Sequence, residues 1–235
     1  MNDYLTQNAK YWQSPYNASN PESFIFRLDG RLLKKYKVYE DPKKVNLLDF
    51  GCGQGANLKY FEDQIGFNCY GVDISKDSVP VAKSRLKNLN NIKLIEPKPS
   101  ENDDFFNIKF DIIISSQVLY YLSDSDLEIR LKSFDKMLKD GGYVFFTMMS
   151  KKSHYNTWKF TDKTEDGLYT VEHTDEVYNV RTQKIVNKHF INLTNDREHL
   201  KQKFKIFEPV EIGDYDLTYN EDESEHHFLF FGKKK

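Results

Sequence analysis

Asp49, Gly51, Gly53, Gly55 and Asp73 are the residues of this chain whose types and spacing could do chemistry together. The three glycines follow an apolar run, Val45 to Phe50, and precede a stretch in which Leu58, Phe61 and Ile65 share one helical face. Glycine suits such a turn because it accepts positive φ and, lacking a Cβ, lets a ligand lie against bare backbone. A second apolar run, Phe67 to Val72, ends in Asp73. A carboxylate there can accept both hydroxyl hydrogens of a ribose. Strand, glycine turn, helix, strand and acid in this order predict a nucleoside cofactor held at the edge of a parallel sheet.

Two cofactor classes satisfy that pattern. Gly51, Gly53 and Ala56 match the G-x-G-x-x-A form of a nicotinamide-binding fingerprint. Asp49 argues against it, because a negative charge just before the first glycine would face a pyrophosphate at a helix N-terminus, a place that favours anions. A cationic sulfonium ligand with a free ammonium group would instead be drawn to that carboxylate. The fingerprint also lies near residue 50 of 235, which leaves no separate substrate domain of ordinary dehydrogenase size. S-adenosylmethionine is therefore the expected cofactor.

Residues 45–150 resemble the class I S-adenosylmethionine-dependent methyltransferases. The run Leu-Asp-Phe-Gly-Cys-Gly-Gln-Gly (48–55) is similar to the family's first motif, and Gly-Val-Asp-Ile-Ser (71–75) to its second. Residues 110–122 resemble the fourth-strand motif. Leu-Lys-Asp-Gly-Gly-Tyr-Val-Phe-Phe (138–146) resembles the turn and strand that follow. The resemblance implies that Asp49 and the Gly51–Gly55 loop, with Cys52 and Gly53 inside it, meet the methionine part. It implies that Asp73 takes the ribose hydroxyls, Ile74 lies on the adenine, and Gln117 and Val118 sit near the cofactor. An N-terminal aromatic covering the cofactor and an Arg binding its carboxylate would be Tyr11 and Arg27. Relatives often carry an acid after the third strand that caps the adenine amino group; Glu96, Ser100 and Glu101 all stand in that region here. They also often have His where this chain has Tyr120 or Tyr121.

Hydrophobic periodicity gives the elements that must position these residues. Pro21 can open a helix, after which Ile25, Leu28, Leu32 and Tyr36 share a face. Strands are expected at 45–50, 67–73, 93–95, 110–115 and 143–148, with helices between them. Unbroken runs such as Ile112–Ile114 and Val144–Phe146 read as buried parallel strands. The alternation predicts a doubly wound, mostly parallel, seven-stranded α/β sheet of Rossmann-like type. Residues 151–174 read as a polar and aromatic segment. A hairpin is expected from 177–180 and 184–193, then a helix over 196–204 capped from Thr194 or Asn195, then two final strands. The expected organisation is an N-terminal helical lid segment (1–40), the cofactor-binding core (41–150), a substrate-lid insertion (151–193), and a C-terminal helix with the last two strands (194–235).

Composition sets the remaining limits. The 34 basic and 36 acidic residues leave a formal charge of −2, so nucleic acid is not the expected partner. No Asn-Pro-Pro-Tyr motif stands at the end of strand four. Cys52 and Cys69 are the only cysteines and exclude a disulfide framework. With no targeting signal and no apolar run of about 18 residues, a cytoplasmic chain with no membrane partner is expected. No paired His or Cys spacing predicts a metal.

Methyl transfer asks for an acceptor held in line with the methyl carbon, and for a base only if the acceptor must lose a proton. His154, just past strand five on the ligand side of the sheet, and Tyr120 are the candidate catalytic residues. His173 and His189 fall in the insertion. His226 and His227, adjacent in a strand, must face opposite ways and read as core-edge packing. His199 reads as solvated. Arg181 and Lys184 could meet an anionic substrate. The expected function is methylation of an O or N atom of a small molecule (a sugar, a phosphorylated metabolite or a biosynthetic intermediate, such as a surface-polysaccharide unit), by a monomer or homodimer. The alternatives are a non-catalytic S-adenosylmethionine-binding protein and, behind it, a nicotinamide-dependent oxidoreductase.

Overall fold

The computed structural model describes residues 4–11, 20–154, 158–177, 183–220 and 223–235. Five strands, β1 (Asn46–Phe50), β2 (Asn68–Asp73), β3 (Ile92–Leu94), β4 (Phe110–Ser115) and β5 (Leu138–Met149), pair in parallel. A sixth, β10 (Glu223–Lys234), runs antiparallel to both β5 and β9 (Phe207–Asn220). The seven-stranded order is β3-β2-β1-β4-β5-β10-β9. It is the doubly wound sheet that the alternating pattern predicts, and its order reverses between β1 and β4, where such sheets bind ligands.

Side-chain alternation divides the core. Leu48, Phe50, Ile113, Phe146 and Phe230 pack on one face, while Leu47, Ile112, Ile114, Phe145 and Phe231 pack on the other. Because helices cover both faces, neither set of alternate positions needs to be polar, which is why the strands read as continuous apolar runs. On the first face lies α5 (Asp124–Met137), burying Leu127, Leu131 and Phe134; the Ser123 side chain caps it by accepting from the Asp126 N–H at 3.2 Å. The other face is covered by α2 (Ser23–Arg27), α3 (Ala56–Tyr60) and α4 (Ser78–Arg85), with wide π turns continuing α2 to Leu33 and α3 to Ile65.

The insertion is more regular than its composition predicts. Trp158–Lys163 (β6), Leu168–Val177 (β7) and Gln183–Asn192 (β8) form a separate three-stranded antiparallel sheet. The expected hairpin is thus longer and begins earlier, and the polar and aromatic segment before it supplies a third strand. Gly167, at φ +82°, lets residues 164–167 turn β6 into β7. The helix after it, α6 (Arg197–Lys203), is capped by Asp196, which accepts from the His199 N–H, and not by Thr194 or Asn195. At the other end of the chain, α1 (Tyr4–Tyr11) lies on β8. Asn8, 3% exposed, donates to the carbonyls of Tyr121 and Phe190 and accepts from the Phe190 N–H at 2.8 Å. No described helix is long and apolar enough to cross a membrane.

Candidate functional site

A cavity of about 410 Å3 opens at the carboxyl ends of β1, β2 and β4. Its floor is the glycine loop, tied down because the Gly51 and Cys52 N–H groups both donate to the Val72 carbonyl, at 2.8 and 3.0 Å. Gly51 has φ +78°, and a Cβ there would fall 2.3 Å from Val118 Cγ2, so the turn after β4 can close onto the loop only over a glycine. Gly53 has φ +50°, and a Cβ there would meet nothing within 4 Å. Bare backbone is therefore offered to open space at this point.

Asp73 closes one end. Its Oδ2 accepts from the Gly53 N–H at 2.7 Å and its Oδ1 from the Ser75 N–H at 2.8 Å. The Ile74 backbone adds a further bond, and the carboxylate oxygens on the cavity wall are the kind of acceptor that two neighbouring hydroxyls require. Burial raises the Asp73 carboxyl, while the bonds from Ser75 and Gly53 oppose the shift. Ile74, Ile95 and Pro97 line the adjoining wall as an apolar slot. None of Glu96, Ser100 and Glu101 lines it: the first two are exposed, and Glu101 pairs with Lys132 at 2.8 Å.

Asp49 sits beneath the loop, fully buried. Its Oδ2 accepts from Asn57 Nδ2 at 3.3 Å, and Oδ1 has no partner. Burial, with the Asp73 charge behind it, pushes the Asp49 carboxyl up to about 7 against the Asn57 bond. Asn57 lines the cavity and Asp49 lies behind it. A buried carboxylate with an unmatched oxygen favours a cation in the cavity and disfavours a pyrophosphate.

The other end is built by residues that follow β4. Gln117 takes the left-handed conformation (φ +58°), fixed by its N–H on Thr147 Oγ1 at 2.7 Å. Its Nε2 donates to Tyr215 Oη at 2.9 Å and Glu225 Oε1 at 3.2 Å. An ordinary side chain held in that region stores strain of the kind that collects at ligand sites. Tyr120 and Tyr121 line this end with ring centroids 4.6 Å apart.

The structure thus brings Gly51, Cys52, Gly53, Asp73, Ile74, Gln117, Val118 and Tyr120 to one cavity, with Asp49 under it. It does not bring His154 or Arg27. After Met149 the chain crosses to the start of β10, where His154 exchanges backbone hydrogen bonds with Ser224 at 2.8 Å each and is exposed. Arg27 is exposed on α2. Neither lines the cavity, since position in sequence after a strand or on a helix does not determine which way the chain turns. The Tyr11 side chain lies outside the described residues, as do Arg181 and the side chains of His173 and Lys184. His189 is buried in β8 and does not line the cavity. His199 is half-buried, its Nδ1 accepting from the Asn195 N–H. His227 stacks on Tyr215 at 5.1 Å, and its imidazole is lowered to about 4, chiefly by burial, so it is neutral. His226 lies 3.6 Å from Asp214 instead, as adjacent strand residues must diverge. Sequence reasoning missed Asn8, Glu22, Asn57, Ile95 and Glu225.

The profile of the methyltransferase-domain family matches residues 22–205. The chain belongs to this family of S-adenosylmethionine-dependent methyltransferases. It is 24% identical over 208 residues to phosphoethanolamine N-methyltransferase 2 of Caenorhabditis elegans, covering 83% of this chain and 46% of that protein. It is 23% identical over 212 residues to the phosphoethanolamine N-methyltransferase of Plasmodium falciparum, covering 86% and 77%. The chain thus spans less than half of the first relative's length and about three quarters of the second's. In fold it is similar to a S-adenosylmethionine-dependent methyltransferase from Clostridium acetobutylicum (TM-score 0.56, 18% identity, 90% of this chain and 97% of the other). It is also similar to CalS10 from Micromonospora echinaspora, an amino pentose methyltransferase solved with S-adenosylmethionine bound (TM-score 0.56, 13% identity, 98% and 97%). The unmatched Asp49 oxygen, the open backbone at Gly53 and the carboxylate of Asp73 on the cavity wall all fit that donor, which carries an ammonium, a sulfonium and a ribose diol.

Proposed function

We propose that this protein moves the methyl group of S-adenosylmethionine to an O or N atom of a small molecule. The observation that carries the reading is the continuity of one cavity, from Asp73 and Ile74 across the glycine loop to Tyr120, Tyr121 and Gln117. The first end matches a nucleoside, and the second is left for an acceptor. A protein that only held the donor would have no use for that second end, which favours an enzyme over a binding module. When bound, the donor supplies an activated methyl group on a sulfonium that leaves as a neutral thioether. Asp73, itself fixed by the Gly53 and Ser75 amides, holds and orients the ribose. Asn57, backed by Asp49, supplies acceptor atoms toward the cationic part. Tyr120 and Tyr121 exclude water and present ring faces or hydroxyls to the transfer point. Orientation of this kind supplies much of the rate in a displacement.

The N-terminal segment and the insertion act as a lid in this reading. Leu5 and Asn8 of α1 line the cavity, and Asn8 ties α1 to β8 and to Tyr121. The test is calorimetric titration with S-adenosylmethionine, S-adenosylhomocysteine and NAD. Micromolar binding of the two sulfur ligands without NAD binding is expected. NAD binding in preference to both would overturn the reading in favour of the oxidoreductase.

A further inference from the structure

The acceptor end carries a charge pattern of its own. Among the described residues that line the cavity, the charged side chains are Glu22, Asp73 and Glu225, all carboxylates. Asp73 belongs, in the proposed reading, to the nucleoside end. Glu22 and Glu225 come from opposite ends of the chain and both line the cavity, near enough for the charge of Glu22 to act on Glu225. Glu22 stands at the N-cap of α2, yet its side chain makes no capping hydrogen bond. Glu225, near the start of β10, has Oε1 on the Gln117 amide at 3.2 Å. Neither acid has a cationic partner among the described residues. Burial raises the Glu225 carboxyl above its ordinary range, and the charges of Glu22 and then Asp216 raise it further. Two half-buried carboxylates that repel one another are relieved by a cation between them. The rings of Tyr120 and Tyr121, at the same end, attract cations through their faces. Gln117 bonds Glu225 from a left-handed backbone conformation in which its own N–H donates to Thr147.

We propose that Glu225, with Glu22, selects an amine acceptor that arrives as a cation, and that Glu225 is the specificity-determining residue of the acceptor end. The inference rests on the S-adenosylmethionine reading of the same cavity. The ammonium is held by the carboxylates and passes one proton by way of Glu225 to water. The freed lone pair forms the N–CH3 bond while the S–CH3 bond breaks, its electron pair remaining on sulfur as the thioether. A hydroxyl acceptor would bring no positive charge to the pair, and an anionic one would meet repulsion.

The test needs no knowledge of the natural acceptor. Sinefungin, the donor analogue with a primary amine in place of the methylsulfonium, places a cation at the transfer point. Its affinity is compared with that of S-adenosylhomocysteine by calorimetry on the full chain, wild type, Glu225→Gln and Glu22→Gln. Wild type is expected to prefer the amine by at least about tenfold, and Glu225→Gln to lose about tenfold of that preference, with S-adenosylhomocysteine affinity unchanged. Glu22→Gln is expected to lose a smaller part. An undiminished amine preference in Glu225→Gln, with the homocysteine product still bound, overturns the proposal. Equal loss of both ligands in Glu22→Gln would assign Glu22 to the donor's amino acid and remove it from the pair. Failure of wild type to bind S-adenosylhomocysteine would overturn the donor reading, and this inference with it.

Discussion

Replacing Asp73 by alanine should separate donor binding from folding. In the protein the Asp73 carboxylate accepts the Gly53 and Ser75 N–H groups at 2.7 and 2.8 Å, is bonded also by the Ile74 backbone, and lines the cavity. A ribose diol would donate two charge-assisted hydrogen bonds to it, worth about 1.5–3 kcal/mol each. Losing the pair removes about 3–6 kcal/mol of binding, and the lower figure already means a rise of about 100-fold in Kd. Stability should change far less, because two opposed effects follow the same substitution. The Gly53 and Ser75 amides lose their acceptor, at about 1–3 kcal/mol for a buried donor left unmatched. The cost of burying the charge, which is what raises the Asp73 carboxyl, disappears with it. Calorimetric titration with S-adenosylhomocysteine, paired with thermal melts of ligand-free protein, reads both quantities. A Kd changed by less than about threefold in a protein that melts like wild type would refute the reasoning, since Asp73 would then carry no ribose.

Asp49, pushed up to about 7, should make donor affinity rise as pH increases through about 7 and level off above it, because the cation is attracted only by the ionised carboxylate. Calorimetry at about pH 6 and about pH 8 checks the direction. The sign for folding is opposite: the native state holds the Asp49 proton over a range where the unfolded chain has lost it, so the ligand-free protein should lose stability as pH rises from about 4 to about 7. Asp49→Asn should remove that loss and weaken donor binding at once, which denaturation and titration together would show. Gly51→Ala must accommodate a Cβ 2.3 Å from Val118 Cγ2 at positive φ and should destabilise by about 2–4 kcal/mol in chemical denaturation. Gly53→Ala meets open space and should cost about 1–2 kcal/mol while blocking the ligand, so its larger effect should appear in titration. Asn8→Ala loses three hydrogen bonds that join α1 to β8 and Tyr121, and hydrogen exchange at the Phe190 amide should accelerate while the sheet core stays protected.

The parts of the site that sequence made legible are those encoded within about 30 residues of one another. The glycine loop needs its neighbours Asp49 and Asp73 at fixed offsets, because loop and carboxylate bind one ligand through adjacent strands. The sheet was equally readable, since Leu47–Phe50 and Ile112–Ile114 are buried on both faces and need no polar alternation. The insertion was harder. Its strands mix Thr, Tyr, Glu and His with few apolar runs, and what defines them is the register in which β7 and β8 pair. Glu22 and Glu225 were out of reach for another reason. Glu225 stands at the end of the acidic stretch Glu221–Glu225, and nothing local marks it as the member that enters the cavity; topology alone joins it to Glu22 and Gln117. His154 is the converse case: its place after β5 is local, while the crossing to Ser224 leaves it exposed.

The most direct test of the central claim is a crystal structure of the protein with S-adenosylhomocysteine. The account predicts ribose hydroxyls on both oxygens of Asp73, adenine in the slot of Ile74, Ile95 and Pro97, and unfilled space beside Tyr120 and Glu225 for the acceptor. A ligand bound away from Asp73, or one that fills the Glu225 end and leaves no room for a second molecule, would contradict it.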